Sequence, residues 1–100
     1  LSPNAEFPKL TVTTLWNGVS PEVVEAYLTS PIESELAGIR GVKKISSRSS
    51  EGISRISLEF YSKTDMDFIR IEINEKLTSL VDELPFGVSF RKTFKIFKAF

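Results

Sequence analysis

Ser89, Arg91, Thr93 and Lys95 recur at every second position near the end of the chain, and the stretch 88–100, VSFRKTFKIFKAF, holds four cations and no anion. Cationic side chains repeated at a spacing of two share one face of a strand. Such a face is either solvated or holds an anionic partner. Val88, Phe90, Phe94, Ile96 and Phe100 fall on the other side, interrupted by Lys92 and Lys98. Bond-making chemistry has little to work with. The chain contains no histidine and no cysteine, which removes Cys–His pairs, Ser–His–Asp triads and thiolate metal sites. Carboxylates are plentiful but lie on helix flanks, with none clustered at ligand spacing. The run SSRSSEG lacks the lysine pattern of a phosphate-binding loop and reads as a polar turn. The expectation is a protein that is not an enzyme and uses no cofactor and no metal.

The elements that must position the basic face follow from periodicity. Residues 1–8, LSPNAEFP, hold two prolines and no period, and read as a linker. Leu10, Val12, Thr14 and Trp16 alternate with Thr11, Thr13 and Leu15 as a first strand, broken at Asn17-Gly18. Ser20-Pro21-Glu22 opens a helix: a capping hydroxyl, a proline at the first helical position and an acid at the positive end of the dipole. Its apolar stripe is Val24, Leu28, Ile32 and Leu36. Pro31 lies inside that stripe and predicts a kink, because it removes the bond to the Tyr27 carbonyl. Gly38 and Gly41 end the helix. A second strand runs from Val42 through Ile45. A third puts Ser54, Ile56, Leu58 and Phe60 on one face and Arg55, Ser57, Glu59 and Tyr61 on the other. Thr64 with Asp67 resembles a capping box, with Asp65 as the alternative cap. The second helix carries Met66, Ile69, Ile73, Leu77, Leu80 and Leu84 before Pro85 and Gly87 stop it. The basic strand comes last.

The order is βαββαβ, in two half-repeats, each strand, capped helix, strand, with Gly-Val announcing each second strand (Gly41-Val42 and Gly87-Val88). Two βαβ units with right-handed crossovers predict an α+β fold: a ferredoxin-like split βαβ sandwich, a four-stranded antiparallel sheet with two helices on one face. The fourth strand should lie beside the first, and the first beside the third. The other face of the sheet is then open and shows Thr13, Arg55, Ser57, Ser89, Arg91 and Lys95. A solvated face would have the same pattern. Ferredoxin-like sheets also bind RNA through aromatics on their central strands, but here the third strand offers Arg55, Ser57 and Glu59, and Phe60 points to the core. One residue stands out on the second helix. Ile71 lies about 200° around the axis from Ile73, with Asp67, Asn74 and Thr78, on the face away from the core. It is either a lone exposed isoleucine, which is ordinary, or a contact with another copy.

The chain has 100 residues, 13 basic and 13 acidic, and 41% hydrophobic residues, which suits one globular domain. Charge balance argues against a dedicated nucleic-acid binder. No apolar run reaches the length that crosses a bilayer. The first residue is leucine and the only methionine is Met66, so the chain reads as a segment excised from a longer protein.

The stretch NGVSPEVVEAYLTSPIESELAGIRGVKKISSRSSEGISRISLEF resembles the resistance–nodulation–division (RND) efflux transporters of the acriflavine-resistance type. The likeness rests on Gly18, Ser20-Pro21-Glu22, Ile32-Glu33, Gly38-Ile39-Arg40-Gly41-Val42, Ser46-Ser47, Ser49 and Gly52. The later TDMDFIRIEINEKLTSLVDELPFGV, with Asn74-Glu75-Lys76-Leu77, is similar to the second helix of that family's first porter subdomain, and LSPNAEFPKL to the stretch leaving its first membrane helix. The resemblance covers essentially the whole chain.

The resemblance implies a periplasmic porter subdomain of a proton-driven multidrug exporter in the bacterial inner membrane. Residues 1–8 would be the linker from the preceding membrane helix and residues 9–100 the subdomain. Such exporters work as trimers and join a periplasmic adaptor protein and an outer-membrane channel. The second helix would be the pore helix, with Asp67, Ile71, Asn74 and Thr78 at the trimer contact. The open sheet face would line the substrate cleft through Thr13, Arg55, Ser89, Arg91, Lys95 and Phe97. The segment itself would have no catalysis and bind no nucleic acid. Asn17 stands where a proline is common in the family. Arg55, Arg91 and Lys95 stand where multidrug members often carry neutral or acidic residues, and this implies small amphiphilic substrates with an anionic preference. Phe97 and Phe100 would leave an apolar edge through which isolated copies pair. The alternative is a free-standing ferredoxin-like domain that binds a small ligand or regulates another protein.

Overall fold

The computed structural model describes residues 6–98, and side chains from 7 to 89. The elements are β1 (Glu6–Leu15), α1 (Pro21–Val24), a π-helical turn (Glu25–Thr29), α2 (Ser30–Leu36), β2 (Val42–Ser50), β3 (Ile53–Phe60), α3 (Met66–Val81) and β4 (Ser89–Lys98). The architecture is α+β. β1 and β2 both pair antiparallel with β3. The backbone of β4 pairs antiparallel with the far side of β1, so the order across the sheet is β2-β3-β1-β4. β1 begins at Glu6, inside the stretch expected to be linker. Pro8 is accommodated there because its register partner is Ile96 alone; pairing with β3 starts only at Lys9, so the missing N–H interrupts no ladder on that side.

The inward faces of β1 and β3 meet the helical stripes. Leu10, Val12, Ile56, Leu58 and Phe60 are buried with Val24, Leu28, Ile32, Leu36, Ile69, Ile73, Leu77 and Leu80. Where a kink was expected, the first helix changes its winding just before Pro31. A π-helical turn precedes it, with the N–H of Ser30 donating to the carbonyl of Glu25, and the dihedrals at Val24, Glu25, Thr29 and Ser30 stay right-handed helical. The wider turn absorbs the proline, whose ring would collide with the fourth preceding carbonyl in an α-helix. It also explains the strict spacing of four. In an α-helix each four-residue step drifts by about 40°, and Val24, Leu28, Ile32 and Leu36 would wind off the core. The π turn takes that drift back, and all four are fully buried.

A correction concerns SSRSSEG. β2 continues through it to Ser50, and only Glu51-Gly52 turns. Gly52 has φ +68°, and an added Cβ would lie 3.2 Å from the Trp16 carbonyl. Its own carbonyl accepts from Trp16 N (2.8 Å) and its N–H donates to the Val19 carbonyl (2.7 Å), which hooks the loop after β1 onto the β2–β3 turn. α3 is capped by Asp65, whose carboxylate accepts from the N–H groups of Asp67 and Phe68. Thr64 does not cap. Its side chain packs so close to Gly41 (φ +90°) that a Cβ there would meet it at 2.8 Å.

Candidate functional site

Strand register assembles the open face of the sheet in rows. Antiparallel partners lie side by side on one face. On β2 the alternation sends Ser47 and Ser49 toward the helices: Ser47 Oγ donates to Glu33 (2.7 Å), and Ser49 Oγ donates to Glu25 (2.7 Å) and contacts the hydroxyl of Thr29 (2.7 Å). Lys44, Ser46 and Arg48 therefore face the other way. The first row is Lys44–Glu59–Lys9, the second Ser46–Ser57–Thr11, the third Arg48–Arg55–Thr13 and the fourth Ser50–Ile53–Leu15. On β4, Lys95 takes the register position opposite Lys9, Arg91 that opposite Thr13, Ser89 that opposite Leu15 and Phe97 that opposite Phe7.

The expected cleft residues fall in these rows. Thr13 is half-buried, and Arg55 and Ser89 are exposed. The side chains of Arg91, Lys95 and Phe97 lie outside the described residues, as does Phe100 altogether. Sequence reading missed Arg48, because it placed that residue in a turn. The signal was present: Lys44-Ile45-Ser46-Ser47-Arg48-Ser49 alternates basic or small polar residues with the helix-facing set.

The two ends of this face differ in where an acid stands. Near Lys9 one carboxylate serves several lysines. Glu59 pairs with Lys9 (3.7 Å) and with Lys43 (3.3 Å), and the Lys43 ammonium also sits 4.9 Å from the Phe7 ring centre. Lys43 reaches this side because the register shifts between Val42 and Lys44, so two consecutive lysines oppose one glutamate. Lys9, Lys44, Ser46, Ser57 and Glu59 line a recess of about 60 Å³, far smaller than the roughly 300–1,000 Å³ of a pocket that encloses a drug-sized ligand. In the Arg48–Arg55 row, neither guanidinium has an acidic partner among the described residues. The described open face of β1 and β3 from residue 9 to 15 and from 53 to 59 carries no aromatic ring, so the stacking platform of an RNA-binding sheet is missing there. Among the described residues no group of three or more acidic side chains gathers to hold a metal.

The expected helix surface is exposed as well. Asp67, Ile71, Asn74 and Thr78 all lie on the outside of α3. Ile71 is 60% exposed, and Phe68, one turn before it, is also largely open, a wider apolar surface than Ile71 alone.

Compared with models of known protein families, residues 1–99 match that of the AcrB/AcrD/AcrF family. The chain belongs to the AcrB/AcrD/AcrF family. It is a porter segment of an RND efflux transporter, as the resemblance implied. Transporters of the AcrB/AcrD/AcrF family are inner-membrane proteins and assemble in general as trimeric pumps with an adaptor and an outer-membrane channel. Among the described residues of this AcrB/AcrD/AcrF segment, no helix is long and apolar enough to cross a membrane.

Proposed function

We propose that this segment is the first periplasmic porter subdomain of a proton-driven exporter, with the ferredoxin-like sandwich as its scaffold. Its open sheet face forms one wall of the substrate cleft, and the outer face of α3 packs around the trimer axis. It carries out no catalysis of its own. Proton coupling belongs to membrane helices, and the substrate is a small amphiphile. The observation that carries this reading is the division of the sheet: one face closes a full apolar core, while the other presents rows of cations and hydroxyls around a recess too small to enclose a ligand alone. A face of that kind needs a second wall, and a larger porter assembly supplies one.

The test is Thr13→Trp in the intact exporter. Thr13 is half-buried at the centre of the open face, between Arg55 and the register position of Arg91. An indole there fills the cleft without touching the core. Export should fall severalfold while trimer assembly and surface abundance stay at the parent level. Unchanged export with the tryptophan in place would count against a cleft on this face.

A further inference from the structure

We infer that the Arg48–Arg55 pair is the head-group site of the cleft, and that it takes the carboxylate of an amphiphilic acid whose tail runs along Leu15 and Ile53. The inference rests on the cleft reading above and names its substrate class.

Arg48 and Arg55 are direct cross-strand partners. Like charges directly opposite each other destabilise a sheet pair. Acids are available, since the chain has as many acidic as basic residues, and Glu59 already pairs with two lysines on this same face. Yet no acid stands against either arginine among the described residues. Two neighbouring exposed arginines match the oxygens of a carboxylate, which bidentate arginine contacts hold strongly. On one side the row is flanked by hydroxyls: Ser46, Ser57 and Thr11, with Thr11 Oγ1 3.4 Å from Ser57 Oγ. On the other side lies an apolar step, Leu15 paired with Ile53 and both half-buried. Successive rows are about 7 Å apart along a strand. A carboxylate on the arginines therefore puts the first methylenes of its chain over Leu15 and Ile53. A cationic amphiphile would meet the arginines head-on. The lysine row suits a carboxylate less well, because the anion would stand against Glu59 there.

The experiment uses the full 100-residue chain and NMR titration with octanoate below its micelle-forming concentration, set against acetate and octyltrimethylammonium. Octanoate should move the Nε–H signals of Arg48 and Arg55 and the backbone amides of Leu15 and Ile53. Acetate should move only the arginine signals, with affinity at least about tenfold weaker, since several methylenes are lost. Octyltrimethylammonium should leave all of them in place. R48Q and R55Q should each weaken octanoate about tenfold, the loss of one charge-assisted contact. R48K keeps the charge but not the fork, and should recover only part of that affinity. K76Q, on the helical side, removes the same charge and should change nothing. R48Q and R55Q should melt no lower than the parent, because each relieves a like-charge opposition. If octanoate and octyltrimethylammonium bind this face equally, the cleft reading stands and the anion site falls. If octanoate perturbs nothing on this face, the inference is overturned, and the cleft reading still answers separately to the Thr13→Trp export assay.

Discussion

Two buried hydroxyls behave differently in this fold, and the difference is measurable one residue at a time. Thr29 Oγ1 donates to Ser54 Oγ at 2.7 Å inside the core and contacts Ser49 Oγ at 2.7 Å. Thr14 is just as buried, yet its Oγ1 has no partner among the described residues. A buried hydroxyl without a partner costs about 1–3 kcal/mol, and its removal returns that cost. Thr14→Val should therefore be neutral or stabilise the chain by about 1 kcal/mol. Thr29→Val should destabilise it by about 1–3 kcal/mol, because Ser54 Oγ is left buried and unpaired. Urea denaturation of both variants decides the ordering, and an equal loss in the two would refute the role given to the Thr29 network. Sequence alone marked neither residue in this way. Thr14 was legible as facing the core, but which hydroxyl finds a partner depends on where the π turn brings Thr29 against β2 and β3.

At the scale of elements, the first helix couples two irregularities. Pro31 cannot sit in a plain α-helix at that point, and the stripe spaced by four cannot stay on one side of one. The π turn resolves both. Deleting Ala26, which is exposed, would shorten the step from Val24 to Leu28 to three and restore α-helical phase. It would also put the Pro31 ring back against the fourth preceding carbonyl. The deletion alone should destabilise by about 3 kcal/mol, and adding Pro31→Ala should recover most of that loss. Thermal melts of the single and double variants measure the coupling; additive losses would sink the explanation. The same scale explains the misplaced Arg48. Serines are common in turns, so SSRSS reads locally as a turn. The partner strand β3 and the acids Glu25 and Glu33 on the helix hold it extended.

At the scale of the whole molecule, the outer face of α3 is where copies should meet. Phe68, Ile71 and Val81 are exposed by more than half, and none of the described residues covers them. Ile71→Asp in the intact exporter should lower the trimer fraction at least tenfold, as expected when a charge replaces a contact residue and costs about 2 kcal/mol or more on burial. Native gels or sedimentation of the detergent-extracted protein provide the measure. The isolated chain should keep its melting temperature, since Ile71 is 60% exposed. A trimer that survives the substitution would move the axis elsewhere.

The sequence by itself determined the element order, the core stripes of both helices, the alternation of β1 and β3, and the family. Each of these is written in local periodicity or in residue runs that one strand or helix must obey. Only the tertiary structure decided that Pro31 is met by a π turn, that Asp65 caps α3, that β2 extends to Ser50, and that Arg48 stands beside Arg55. The physical reason is the same in each case. These outcomes depend on register and packing between segments far apart in the chain, where one strand's hydrogen bonds or one helix's buried stripe overrides the local preference of the residues themselves.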